Sequence, residues 1–473
     1  MKNLRVYILF LFCLVYWVYL AQNSEMVQTM DAAGYVARAQ MISEGGFQEY
    51  LKHGPEKEPL YPLSLVLSMT LASRWNIPFD VIQKTMQLGW LFLAQVLLWK
   101  ILRRLDIRPV ISLLIAGYMG VSPAILNSAL SLFTEIMTYP MTLAIVLVGV
   151  ELLIRINKDN VRSIVLWSLG FAVVFIIAIS VKYTYLTLVP VFWFLFFCLI
   201  VQGLWHKNKI LLRNVLIVIP LFCVPLFGFD HYYKSLNQSI HGAYTFTGGG
   251  GRSLYGGTMV KTRPINTREA LTGFAMVPGK GVCDKLFSDK ECTQWSFLEA
   301  DMVGALERER LYGQGYSTDK VDQTLVLESI EEIGKHPLQF TVFYIAEFWK
   351  MFFFESTNVG FVNYPPWLTA LYTHPLIKNG IRLFTALWAM TAFIYVMAYV
   401  IRKRGRFLNY QEPKFVHYHI VLLSVSFITI FGCIVALFSV LTRYSFPVAP
   451  LQLINIAFLL QYFGHDRKKS TRR

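Results

Sequence analysis

A helix needs about 20 predominantly apolar residues to cross the hydrocarbon core of a bilayer. This chain offers such stretches at roughly 5–22, 80–102, 109–126, 136–154, 163–181, 184–204, 211–229, 379–401, 418–441 and 442–463. The repetition restricts the fold to an all-α integral membrane protein, a multi-spanning helical bundle of about ten spans. Composition agrees, because 55% of the 473 residues are hydrophobic and only 15% charged, against about 25% charged in soluble domains. The formal net charge of +15 therefore points to membrane topology rather than to nucleic acid. The first stretch follows Lys2 and Arg5 as in a signal peptide, yet no small-residue cleavage site precedes Asn23, so it reads as an uncleaved anchor.

Two shorter apolar stretches, 59–73 and 338–354, read as interfacial or re-entrant helices, the second being interrupted by Glu347 and Lys350. With both on the outer face, six basic groups fall on the inner face: Lys2/Arg5, Lys100/Arg103/Arg104/Arg108, Arg155/Lys158/Arg162, Lys207/Lys209/Arg213, Arg402/Lys403/Arg404/Arg406/Lys414 and Arg467/Lys468/Lys469/Arg472/Arg473. Together they hold half of the chain's 44 Lys and Arg. The expected organisation is an N-terminal transmembrane core over 1–229 with a first outer loop at about 23–79, then a large outer region over 230–378 carrying amphipathic helices. C-terminal transmembrane helices over 379–463 and a basic inner tail over 464–473 complete it.

Cys13, Cys198, Cys223 and Cys433 lie in apolar spans as small hydrophobes, whereas Cys283 and Cys292 share the large outer region. Those two form a candidate disulfide, with two free thiols as the alternative; no neighbouring Cys or His suggests zinc. The run Gly248-Gly-Gly-Gly-Arg-Ser-Leu-Tyr-Gly-Gly257 lacks the Gly-Lys-Ser/Thr ending of a nucleotide loop and reads as a mobile loop. Residues 299–335 mix charges among Leu, Val and Ile and read as soluble helix packed on the outer face.

Charges at the ends of membrane spans are costly and need partners, which makes each a functional candidate. Asp31, Glu135, Lys182, Asp230, His231 and Arg443 all fall at outer helix ends. Their convergence implies an outward-facing polar cavity at the membrane surface. A transporter would place charges or broken helices near the midplane in two related halves, and no such halves are visible.

At these residues the sequence resembles the polyprenyl-phosphate-sugar-dependent glycosyltransferases of the GT-C fold, the superfamily of protein O-mannosyltransferases and lipid A aminoarabinose transferases. Asp31-Ala-Ala-Gly-Tyr35 looks like the family's acidic first-loop motif, and Lys57-Glu-Pro-Leu-Tyr-Pro62 like its Lys-Pro-Pro-Leu-Tyr-Pro segment, with Glu58 replacing one proline. Thr134-Glu135 is similar to the acid of the second outer loop and Arg443-Tyr-x-x-Pro447 to the final-helix Arg-Tyr motif, while His336-Pro337 sits where the large outer loop ends.

The resemblance implies an inverting transferase that moves a sugar from a polyprenyl-phosphate donor to a hydroxyl of a glycan, glycolipid or protein acceptor. The setting it implies is the bacterial inner membrane with the site on the periplasmic or extracellular face. Asp31 would be the catalytic base, and Arg443, Lys57 and Lys182 would hold the donor phosphate. Glu135, Tyr35, Tyr61, Tyr444 and His53 would contact sugar or acceptor. No Asp-x-Asp is present, so no metal ligand is assigned; a divalent ion is possible but not favoured. A flippase for a lipid-linked saccharide and a glycan polymerase or ligase are the alternatives.

Overall fold

The computed structural model describes residues 4–54, 57–355, 359–403 and 415–470, and they are almost entirely helical. Lys2, Arg404, Arg406, Lys414, Arg472 and Arg473 of the basic groups lie outside the described residues. The first half runs through α1 (Leu4–Asn23), α2 (Asp31–Lys52), α3 (Leu60–Trp75), α4 (Phe79–Arg104), α5 (Pro109–Val121), α6 (Pro123–Leu130), α7 (Glu135–Ile156), α8 (Val161–Val181), α9 (Val189–Trp205) and α10 (Lys209–His241). Then come α11 (Gly250–Thr262), α12 (Thr267–Ala275), α13 (Lys280–Cys283), α14 (Asp289–Thr293), α15 (Phe297–Gly313), α16 (Thr318–Lys335) and α17 (Pro337–Lys350). The chain finishes with α18 (Pro366–Thr373), α19 (Pro375–Lys403), α20 (Phe415–Leu437) and α21 (Ala449–Ser470). The sheet content among the described residues is one antiparallel pair, β1 (Glu25–Met26) on β2 (Val362–Asn363).

Among the described residues nine helices are long and apolar enough to cross a membrane, and the bent pair α5–α6 makes a tenth candidate. The protein is thus a multi-pass integral membrane protein whose environment is a lipid bilayer. α7 and the final span are the most enclosed, 83% of each being buried, against 17% of α1; these two form the centre of the bundle and α1 lies at its edge. Trp17 fixes α1 by donating to the Gly120 carbonyl, 2.7 Å away.

The stretch expected as a single span at 109–126 is two helices meeting at 46°. Pro123 lacks an N–H and disfavours helical backbone at Ser122 before it. The polar groups freed at the break are taken up by the buried Glu355, which accepts from the Tyr118 hydroxyl (2.5 Å), the Ser122 hydroxyl and the Ala124 amide (3.2 Å). Burial pushes the Glu355 carboxyl above its usual range despite these bonds. α10 likewise runs to His241, well beyond the expected edge of the core at 229.

Helices α11, α15 and α16 pack together as a cap. From Gly250 on, the glycine run expected as a mobile loop is instead the first two turns of α11, with Gly248 and Gly249 just before the helix. Its glycines are required by close crossing: a Cβ on Gly256 would meet the Ala300 carbonyl oxygen at 1.8 Å, and one on Gly304 would meet the Arg252 carbonyl oxygen at 2.3 Å. The charged run 299–335 forms α15 and α16, as expected. Cys283 and Cys292 are bridged, and with Trp295 and Phe343 they form a small separate core beneath α12.

Candidate functional site

A cavity of about 900 Å³ opens between the bundle and the cap, at the upper end of the ~300–1,000 Å³ usual for ligand sites. Its bundle-side wall includes Asp31, Lys57, Glu135, Arg443 and Tyr444, and its cap-side wall includes Arg252, Phe297, Asp301, Arg308, Tyr312 and Asp322. Residues more than 400 positions apart meet here because α2 begins, α7 begins and the turn before α21 lies at one end of the bundle.

Asp31 is the first residue of α2, and no side chain caps that helix. Its carboxylate instead lies between two cations, accepting from Lys57 Nζ at 2.9 Å on Oδ1 and from Arg443 Nη2 on Oδ2. Burial by itself would push the Asp31 carboxyl up. Lys57 and Arg443 outweigh it, and the carboxyl is held down at about 2. Met30, just before it, has left-handed backbone with φ of 51°, a conformation a non-glycine residue adopts at a cost of ~1–3 kcal/mol.

The second acid, Glu135, is buried at the start of α7, with Lys182 Nζ at 3.9 Å and Arg443 Nε at 4.0 Å from Oε1. Lys182 is not on the cavity wall. Rings support the cations: the Arg443 guanidinium lies 4.9 Å from the Phe133 centroid, Lys182 Nζ 5.6 Å from that of Tyr444 and Lys57 Nζ 5.2 Å from that of Tyr35. The result is a five-residue network of two carboxylates and three cations.

The loop carrying Lys57 is held at both sides of that residue. The Tyr50 hydroxyl donates to the Lys57 carbonyl at 2.6 Å, and Glu58, which replaces the expected proline, accepts from the Tyr183 amide at 3.0 Å. The turn 438–442 before Arg443 is held by the cap and by α17. Lys261 Nζ donates to the carbonyls of Leu437 (3.1 Å) and Phe438 (2.6 Å), and Glu347, paired with Lys350 at 3.2 Å, accepts from the Val440 amide at 2.6 Å. The charges that interrupt the apolar stretch at 338–354 thus serve the turn that delivers Arg443.

Of the sequence-predicted residues, Asp31, Lys57, Glu135, Arg443, Tyr444 and His53 line the cavity, His53 on its rim within 3.6 Å of Glu49. Tyr35 and Tyr61 lie behind that wall, buried edge to face at 5.0 Å, with Tyr61 donating to Gln87 at 2.9 Å. Asp230 and His231, expected at the cavity, are elsewhere: Asp230 pairs with Lys234 at 2.8 Å, and His231 Nδ1 lies 2.7 Å from the Tyr244 hydroxyl. Sequence reasoning missed the cap-side wall. Its signal was the glycine run, since clustered glycines mark close backbone approach as well as turns. Among the described residues no three His, Cys, Asp or Glu side chains gather as metal ligands.

No family model matches this chain, and no curated protein is significantly similar to it in sequence.

Proposed function

We propose that the protein is an inverting glycosyltransferase of the GT-C type, taking a sugar from a polyprenyl-phosphate donor on the outer face of the membrane. The observation that carries this reading is the Lys57–Asp31–Arg443 arrangement, a carboxylate gripped by two cations in a cavity at the end of a membrane bundle. The Asp31 carboxylate engages the same two cations that an anionic ligand would take. The phosphodiester of such a donor, also a monoanion, recruits the same partners because its two free oxygens match the guanidinium fork and because it gains a second charge as it leaves.

Donor binding then exchanges partners. Arg443 and Lys57 turn to the phosphate, and Asp31 loses the charges that hold its acidity near 2. Its pKa rises and its basicity with it, so the base is competent only when the donor is in place. The acceptor hydroxyl oxygen attacks the anomeric carbon, its proton passes to Asp31, and the bond from that carbon to the phosphate oxygen breaks. Arg443 and Lys57 stabilise the charge that develops on the leaving phosphate. Lys182 and Glu135 keep Arg443 in place, an indirect role for Lys182 compared with the phosphate contact expected from sequence.

The test is release of free polyprenyl phosphate from a panel of polyprenyl-phosphate sugars by purified protein, with and without membrane glycolipid extract, and with a parallel arm in EDTA. Extract-dependent release that disappears in Asp31→Asn is the expected result. Movement of intact lipid-linked sugar across a vesicle bilayer with no release would identify a carrier instead.

A further inference from the structure

The two ends of the cavity differ in charge. On the bundle side Lys57 and Arg443 face Asp31 and Glu135 on the wall, and Lys182 behind it brings the network one cation in excess. The cap end is balanced, with Arg252 and Arg308 against Asp301 and Asp322. Arg252 is ion-paired with Asp301, and Asp322 lies beside the Arg308 charge while accepting from the Gly249 and Gly251 amides. Two aromatic rings, Phe297 and Tyr312, stand on the same wall, Tyr312 being 41% exposed. Phe297 meets Tyr444 edge to face at 5.7 Å, which puts the cap wall directly beside Arg443.

A phosphate or carboxylate is better served by the bundle network, with its cation in excess, than by this balanced end. An extended peptide binds readily to a strand edge, and the cap is built of helices. The Arg252–Asp301 pair, with Arg308 and Asp322 on the same wall, offers both donors and acceptors, and the rings offer flat apolar faces. An uncharged saccharide has the matching surface, with hydroxyls that both donate and accept around a ring whose C–H face is apolar.

We infer that the cap wall is a saccharide-binding subsite and that the acceptor is the uncharged end of a glycan. The assignment of this sugar as acceptor rests on the transferase reading above; the binding of sugar to the cap does not.

Saturation-transfer NMR on the full-length protein in detergent, with uncharged hexose and N-acetylhexosamine oligosaccharides and their phosphate monoesters as probes, separates the two. The expected result is that uncharged oligosaccharides bind, that added phosphate gives no gain, and that Asp301→Asn and Tyr312→Ala each weaken binding at least tenfold with unchanged affinity for polyprenyl-phosphate sugar. Tyr312→Ala, at a partly exposed ring, guards against a folding defect from breaking the Arg252 pair. Binding of phosphorylated sugars alone, or sugar binding unmoved in both variants, overturns the subsite. Extract-dependent donor turnover that proceeds on protein or lipid while no oligosaccharide binds also overturns it and leaves the transferase standing. Sugar binding lost in both variants, with no donor consumed under any condition, supports the subsite and removes the transferase.

Discussion

Asp31 carries opposite demands in the empty and loaded protein, and its titration exposes them. With Lys57 and Arg443 as partners its folded pKa is about 2, against an ordinary value of 3.8. The sign follows from linkage: the ionised carboxylate stabilises the fold above about pH 4, and that contribution fades as pH falls toward 2. In kinetics, kcat/KM reports the free protein and kcat the donor-loaded one. The acidic limb of kcat is therefore expected at pH 4 or above, whereas kcat/KM does not turn down until close to pH 2. Coincident limbs near pH 2 would mean that the donor does not displace Asp31 from its cations. Asp31→Asn should lower turnover by about two orders of magnitude, in the range for loss of a general base, with donor binding unchanged or tighter, since the charge that competes for Lys57 and Arg443 is gone. Arg443→Ala should weaken donor binding by about 1.5–3 kcal/mol, as expected for a charged hydrogen bond; equilibrium binding of a polyprenyl-phosphate sugar measures both. Asp31, Lys57 and Arg443 were legible in the sequence because a charge at a span end needs a reason. Their pairing with one another was not, since the 412 positions between Asp31 and Arg443 are closed by tertiary packing alone.

Helix α11 joins the two halves of the site through its opposite ends. Gly249 just before it and Arg252 and Ser253 in its first turn lie on the cavity wall, and its last turn contributes Lys261 to the end of α20. Lys261 satisfies the last carbonyl of α20 and the one after it, groups that a helix leaves without internal partners. Burial pushes the Lys261 ammonium down to about 8, Glu347 raising it in part and Lys350 opposing. Since the unfolded chain binds this proton up to about pH 10.5 and the folded one only to about 8, this group makes stability rise with pH between those values. That rise should be missing in Lys261→Met, and donor affinity should fall with it as the turn before Arg443 loosens; equal pH slopes of thermal melting in the two proteins would rule the clamp out. Gly256→Ala forces a methyl into the Ala300 carbonyl, and overpacking of this kind costs about 1–3 kcal/mol, so α15 should exchange its amides faster. The sequence pattern identified α15 and α16 but mistook α11. Glycine has the lowest helix propensity after proline, and here a tertiary crossing at Gly256 and Gly304 overrides it.

Across the whole molecule the span pattern was legible almost throughout, because apolar runs of bilayer length admit few alternatives. The exceptions are local: Pro123 breaks one span, and α10 continues past its apolar portion, where Tyr233 packs on Phe246 and Asn237 donates to the Thr245 carbonyl. Helix alternation then places the cavity at one end of the bundle and the short basic connections at the other. α7 begins at Glu135 in the cavity wall and ends beside Arg155, where Glu151 pairs with Arg104 at 2.5 Å. Arg213 fastens the same end to Asp159 at 2.6 Å. Positive residues beside short loops stay cytoplasmic, so the cavity should face outward, where a lipid-linked sugar donor would be used. Two exposed positions test this, Lys158 in a basic connection and Lys320 in the cap. A membrane-impermeant maleimide should label Lys320→Cys in right-side-out vesicles and Lys158→Cys only in inverted ones. The four natural free cysteines lie in spans and should stay unlabelled by such a reagent. Labelling of both from one side would require an even number of crossings between them instead of the three made by α8, α9 and α10, and labelling with the two sides reversed would put the cavity in the cytoplasm and remove the outer-face donor from the proposed reaction.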